Sequence, residues 1–241
     1  GDIGNTETKI CLVKNDKIIK KILIPSLGKK NHILNRYFKR FNFSEVEKIL
    51  FCSVVPSTFK ELKNYFKKKT QIKCYELKEL NLRSILKIDV NYKQVGSDRL
   101  ANAISVSVKD KNFVILDFGT ATTFDVLIGK NYKGGIISPG INLSLNTLSD
   151  KASLIPKINL KIMSKVIGKD TKSAVRSGFF WGYAGLIDNI LNLIKKETKK
   201  SFKVIITGGF SKLFKNSIKT KVKQDFDITI NGLIKASKLI K

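Results

Sequence analysis

The chain has 241 residues, 42% of them hydrophobic, and a formal charge of +27 from 46 Lys and Arg against 19 Asp and Glu. That length suits one large domain or two small ones, and the apolar share is enough to bury a core. The single histidine, His32, excludes a multi-His metal site and makes a Ser-His-Asp triad a poor fit, while the isolated cysteines Cys11, Cys52 and Cys74 argue against a disulfide framework or a zinc site and fit a reducing compartment.

No apolar run reaches membrane-spanning length and no signal peptide is visible. A positive surplus of this size points to a polyanion when it is clustered on one face. Here the basic residues are mostly lysine and are spread over every segment. The densest run, Lys67-Lys68-Lys69, has no aromatic platform beside it. Codon bias in an AT-rich genome accounts for such a charge better than a nucleic-acid face does. The surplus would still attract ATP and anionic substrates.

In chain order, Asp2-Ile3-Gly4-Asn5-Thr6-Glu7-Thr8-Lys9 leads into the apolar run Ile10 to Val13, then the turn Asn15-Asp16 and the pair Ile18-Ile19. A strand that ends at Asp2 is expected to begin several residues earlier, so the N-terminus is expected to be trimmed. Leu34 to Phe41 reads as a basic amphipathic helix, Ile49 to Val55 as a buried strand, Pro56 to Phe66 as a helix with Phe59, Leu62, Tyr65 and Phe66 on one face, and Gln71 to Leu77 as another strand. This alternation points to α/β architecture. At Gln94 to Ala103 a helix is expected with Ser97 as N-cap. Asp98 and Arg99 then have two readings: groups that suit a helix start, or an acid and a guanidinium presented to a substrate.

Phe113 to Gly140 reads as strand, tight turn, strand, turn, strand, with Asp117 closing the first strand and Gly119, Thr120, Thr122 and Thr123 following it. A glycine turn with hydroxyls and free amides can hold a phosphate; a plain polar hairpin is the alternative. Ile141 to Leu148 is expected to be helical, Lys151 to Pro156 a loop, and Thr171 to Lys196 a long helix with Gly178, Gly182 and Gly185 along it. Phe179, Phe180 and Trp181 suit a core or an interface. Lys203 to Ile206 reads as a strand ending in Thr207-Gly208-Gly209, a turn that can pass close to a nucleotide or simply join strand to helix. Asn231 to Ile240 closes the chain as a helix.

The second hairpin echoes the first. Laid over each other without a gap, Asp2 meets Asp117, Gly4 meets Gly119, Thr8 meets Thr123 and Leu12 meets Leu127. A duplicated carboxylate-and-glycine hairpin, one per half-chain, resembles the actin, acetate and sugar kinase, and heat-shock ATPase fold. That resemblance implies two lobes around a nucleotide cleft, an N-terminal one over 1–110 and a C-terminal one over 111–241.

The motifs taken together resemble type III pantothenate kinases over nearly the whole chain. They are D-x-G-N-T at Asp2 to Thr6, G-x-D-R at Gly96 to Arg99, D-x-G-T-A-T-T at Asp117 to Thr123, G-G-x-I-x-P-G at Gly134 to Gly140, S-G-x-x-x-G-Y-x-G-L-I-D at Ser177 to Asp188, and T-G-G at Thr207 to Gly209. The resemblance implies phosphorylation of pantothenate by ATP with Mg2+, the first step toward coenzyme A, in a cytoplasmic homodimer that needs potassium or ammonium. It implies that Asp98 is the proton acceptor, that Gly96, Ser97, Asp98, Arg99 and Thr171 contact pantothenate, that Asp2, Ile3, Gly4, Asn5, Thr6, Glu7, Thr8 and Lys9 form the first ATP loop, that Thr120 binds ATP, and that Asp117 binds the monovalent cation. Two positions depart from the family. Asp89 stands where the family has a tyrosine, with Tyr92 three residues on, and the family's T-A-x-L-P is blurred at Lys151 to Pro156. Other readings are a regulator that keeps the fold and binds nucleic acid, and a different kinase of the same fold class. No P-loop lysine motif or protein-kinase signature is present.

Overall fold

The computed structural model describes residues 1–26, 31–39 and 41–240. They form two compact units, one of Gly1–Val108 with Lys130–Tyr132 and Asp227–Lys241, the other of Lys109–Gly129 with Lys133–Phe226. The closing helix thus folds with the first unit rather than with its sequence neighbours. Among the described residues no helix is long and apolar enough to cross a membrane.

The first unit is built on β1 (Asp2–Ile3), β2 (Glu7–Lys14), β3 (Lys17–Pro25), α1 (Asn31–Phe38), β4 (Ile49–Ser53), α2 (Pro56–Lys69), β5 (Cys74–Glu76), β6 (Lys87–Ile88) and α3 (Ser97–Val106). Its sheet runs β3-β2-β1-β4-β5. The first three strands are antiparallel, and β1, β4 and β5 are parallel. Asn15 and Asp16 take φ of 51° and 61°, the two left-handed residues that a tight hairpin between twisted strands needs. Pro56 starts α2, and Lys67, Lys68 and Lys69 fill its last turn, where cations complement the helix dipole. The triple lysine therefore has a local reason. Leu62, Tyr65 and Phe66 of α2 pack with Phe38 of α1, which stacks on Tyr65 at 5.3 Å. The helix read at Leu34 to Phe41 runs Asn31–Phe38, and Arg40 lies outside the described residues. The strand read at Gln71 to Leu77 shortens to β5, because Glu76 and Asn81 cap short 3-10 turns that end it and follow it.

The second unit holds β7 (Asn112–Phe118), β8 (Ala121–Ile128), most of β9 (Asn131–Pro139), α4 (Ile141–Lys151), α5 (Thr171–Thr198), β10 (Lys203–Gly208), α6 (Ser211–Phe214) and β11 (Val222–Gln224). β7 and β8 form an antiparallel hairpin, and β10 lies parallel to both β7 and β11. The start of β9 belongs to the first unit, where Asn131 and Tyr132 pair with Lys87 and Ile88 of β6. One face of α5, with Phe180, Ala184, Ile187, Leu191 and Ile194, is buried against the strands. Asp170 and Ser173 close its start as a reciprocal capping box.

The last helix, α7 (Ile228–Ser237), starts three residues earlier than the apolar pattern suggests and packs along α3 in the first unit. Gly232 makes this possible. A Cβ there would collide with the carbonyl oxygen of Ala101 and stand 2.6 Å from its carbon. Thr229 and Asn102 share a buried hydrogen bond of 2.8 Å in the same seam.

The hairpin echo is real, but the ungapped overlay slips by one residue past the glycine. In the first hairpin Ile3 pairs with Thr8, and in the second Phe118 pairs with Thr122. The Gly4 amide reaches Glu7 O at 3.0 Å, whereas the Gly119 amide reaches Ala121 O at 3.1 Å, so the second turn is one residue tighter. The structural equivalent of Thr8 is therefore Thr122 rather than Thr123, and both are completely buried.

Candidate active site

In the first unit the short strand β1 delivers Asp2 to the end of the sheet, between β2 and β4. Asn5, Thr6 and Glu7 form an exposed turn next to it. Ile3 and Thr8 are fully buried, and Thr8 shares a 2.9 Å hydrogen bond with the hydroxyl of Ser26. Of the stretch Asp2 to Lys9, these two side chains face the interior. A ligand on this loop would meet the backbone there and the side chains of Asn5, Thr6 and Glu7.

Asp98 lies on the same unit, in the first turn of α3. The helix is capped by Gly96 and not by Ser97 as expected. The Ser97 hydroxyl points into the sheet, where it accepts from the Ser53 amide at 2.7 Å and donates to the Ser53 carbonyl at 3.0 Å. The side chain that suits capping in sequence has a better partner in the tertiary fold. Asp98 Oδ1 accepts from the Arg99 amide at 2.8 Å, and a Cβ at Gly96 would run into that same oxygen. A side chain at position 96 would therefore force the Asp98 carboxylate to turn away.

The two acids feel each other. Burial pushes the Asp2 carboxyl up, and the charge of Asp98 adds to the push, while Lys9 and the Cys52 thiol oppose it. Burial likewise raises Asp98, against the Arg99 amide, the Arg99 charge and Lys78. A raised carboxylate beside a cavity suits proton acceptance. The cavity is about 370 Å3, with Ser53, Pro56, Glu76, Lys78, Gly96 and Ser97 in its wall. That volume is in the range of small-molecule sites. Sequence reading missed Ser53, Glu76 and Lys78. Ser53 and Glu76 end β4 and β5, and Lys78 lies in the 3-10 turn that follows β5; none carries a motif, and their only signal is that strand ends in α/β sheets gather ligands. Near the position where the family has its tyrosine, the Tyr92 hydroxyl donates to the Lys78 carbonyl at 3.2 Å, and Asp89 pairs with Lys87 at 3.7 Å.

In the second unit Asp117 lies near the end of β7 and pairs across to Thr207 of β10. Gly208 has φ of +82°, and a Cβ there would stand 2.7 Å from Asp117 Oδ1 and 2.6 Å from the Phe118 carbonyl oxygen. The Gly209 amide donates to that carbonyl at 3.1 Å. Gly119 and Thr120 are exposed at the neighbouring turn. Gly140, which caps α4, is pressed against that turn: a Cβ on it would strike the Thr120 carbonyl and come within 2.7 Å of Gly119 O. The amides at the start of α4 therefore lie close to Thr120, a setting that favours anions. Thr171 is in this unit too, exposed at the first position of α5. Among the described residues no group of three or more His, Cys, Asp or Glu side chains could hold a metal ion.

Comparisons with known proteins agree with this reading. A family model described as type III pantothenate kinase matches residues 1–193. The type III pantothenate kinase of Pelagibacter ubique is 65% identical over 244 aligned positions, covering 100% of this chain and 98% of the relative. Among solved structures, a conserved Campylobacter jejuni protein assigned to the Baf family of transcriptional activators superposes with a TM-score of 0.65 at 21% identity, over 98% of this chain and 96% of that one. An ethanolamine utilization protein from Carboxydothermus hydrogenoformans gives 0.56 at 12% identity, over 99% and 88%. These structural likenesses show the fold, the duplicated actin-like α/β fold. With the family match, the sequence identity along its full length and the G-x-D-R acid set beside a cavity, this chain belongs to the type III pantothenate kinase family.

Proposed function

We propose that the chain transfers the γ-phosphoryl group of ATP to the primary hydroxyl of pantothenate, giving 4'-phosphopantothenate for coenzyme A synthesis. The observation that carries the proposal is Asp98. It is held in the first turn of α3 by the Arg99 amide, directly after Gly96 and Ser97, which line a cavity of substrate size, on the unit that also bears the Asp2 loop. Asp98 accepts the hydroxyl proton. Phosphoryl transfer through a loose transition state needs positioning and charge neutralisation more than a strong base, so a carboxylate suffices. Arg99 and the amides of Gly96 and Ser97 orient pantothenate on the first unit; Thr171, exposed at the start of α5 in the second unit, is a pantothenate contact by the family resemblance. The Asp2 to Lys9 loop of the first unit, with Asn5 and Thr6 exposed at its crest, is a phosphate loop, and in the second unit Thr120 is an ATP contact in its exposed turn. ATP enters as its magnesium complex.

The cradle at Asp117 fits a monovalent cation. Gly208 leaves open the space beside the carboxylate that any side chain would fill, and oxygen donors suit such an ion. Asp117 would hold potassium or ammonium, which supplies charge neutralisation beside the phosphates when bound. The free side of α5 supports a homodimer. Nothing lies within 4 Å of the Cβ positions of Gly178, Gly182 and Gly185, and Trp181 and Leu193 on that helix are 37% and 51% exposed. Free thiols at Cys11, Cys52 and Cys74 fit a reducing cytoplasm. The test of the reaction is ADP release coupled to a spectrophotometric readout, with pantothenate against a panel of sugars and short-chain acids. Turnover with a sugar or an acid and none with pantothenate would overturn it.

A further inference from the structure

Cys52 is isolated in sequence and sits in an apolar strand, where a packing role alone is expected of it. Its surroundings say more. β1 and β4 are parallel, and their register sets Asp2 directly beside Cys52. The Cys52 side chain is completely buried, and its Sγ donates to Asp2 Oδ1 at 3.5 Å. Burial, with Asp2 and Asp98 nearby, holds the thiol well above its ordinary range, so it stays protonated and remains a donor. One residue on, Ser53 grips the start of α3 through both of its backbone groups and the Ser97 hydroxyl. The end of β4 thus touches the loop of one acid and the helix of the other.

We propose that Cys52 is a positioning residue: its S–H bond orients the Asp2 carboxylate toward the ATP-binding side of its loop, and with Ser53 it makes the tip of β4 the common anchor that fixes Asp2 relative to Asp98. The proposal rests on the reading that the Asp2 loop holds the nucleotide. Lys9, the cross-strand partner of Asp2, acts on the same carboxylate from the other side. Asp98, the thiol and the Gly1 ammonium are the other groups that act on it. The thiol bond favours the ionised acid. Its loss leaves a carboxyl that takes up a proton at higher pH and is less fixed in direction.

The experiment is calorimetric titration of the full chain with the magnesium complex of a non-hydrolysable ATP analogue, across a pH series, for the wild type, Cys52→Ser, Cys52→Ala and Cys52→Val. Thermal melts identify folded variants, and two donor-free variants guard against one failing to fold. The serine variant keeps a donor and is expected to follow the wild-type profile. The alanine and valine variants are expected to bind about fivefold more weakly at the acidic end, as for one lost weak hydrogen bond to a charged group, and to stay weaker by a smaller factor at the alkaline end, where the carboxylate is ionised in every variant but no longer held in direction. A packing role alone would leave the pH dependence unmoved, so folded donor-free variants with the wild-type profile would overturn the proposal. A serine variant that behaves like alanine would overturn it as well. A wild type that binds no nucleotide would overturn the reading of the Asp2 loop itself, which separates the two failures.

Discussion

Gly232→Ala should injure both stability and turnover, although alanine is the better helix former. The added methyl would collide with the Ala101 carbonyl oxygen and stand 2.6 Å from the carbonyl carbon, where carbon atoms rest at ~3.5 Å. No side-chain rotation relieves this, because both obstacles are backbone. α3 and α7 must part by roughly 1 Å. Overpacking of this kind costs ~1–3 kcal/mol. The helix propensity of alanine over glycine returns up to ~1 kcal/mol. The net loss is thus ~0–2 kcal/mol, or a melting temperature lower by up to about 8 °C for a chain of this size. The displacement also reaches chemistry. Ala101 lies one turn beyond Asp98 on α3, and a misplacement of ~1 Å can cost about 100-fold in rate. Scanning fluorimetry and the ADP-release assay read the two effects. A variant that melts at or above the wild-type temperature with full kcat would refute the close packing of α7 on α3 and its link to the site.

Asp98→Asn should lower kcat by about 100-fold or more while leaving ATP binding in place, and wild-type turnover would remove Asp98 from the reaction. The same variant should be more stable at neutral pH. A buried acid whose folded pKa is raised holds its proton more tightly in the folded state, so stability falls as pH climbs from the unfolded pKa through the folded one; asparagine removes that loss, and a lower melting temperature for the variant at pH 7 would contradict the sign. Asp117→Asn should abolish any advantage of potassium over sodium along with most activity, whereas equal wild-type rates in the two salts would leave Asp117 a turn residue. Gly208→Ala, forced into a left-handed backbone against Asp117 Oδ1, should weaken activation by the cation at the least, raising the potassium concentration for half-maximal rate, and an unchanged potassium titration would count against the cradle. Gly182→Arg should turn a dimer into a monomer in light scattering; a wild type that is already monomeric at micromolar concentration would defeat the α5 interface.

The α/β class, the paired hairpins and the acids at their ends were legible in the sequence, because strand alternation, glycine turns and helix periodicity are local properties written in adjacent residues. The glycines of T-G-G and G-G-x-I-x-P-G were legible as turn residues without their cause. That cause is tertiary: Gly208 clears Asp117 and Gly140 clears the Thr120 turn, contacts made by residues 91 and 20 positions apart. Where reading failed, a local preference was overridden by a distant partner. Ser97 suits a cap but bonds to Ser53. The overlay of the hairpins slipped because turn length is set by which amide meets which carbonyl, and composition does not record that. The closing helix reads as part of the second half-chain, yet it completes the first unit, since only packing could reveal that Gly232 and Ala101 lie back to back. Sequence fixes what each segment can form, and the fold decides which distant groups each polar side chain meets, because a hydrogen bond or a steric gap depends on separation in space and not along the chain.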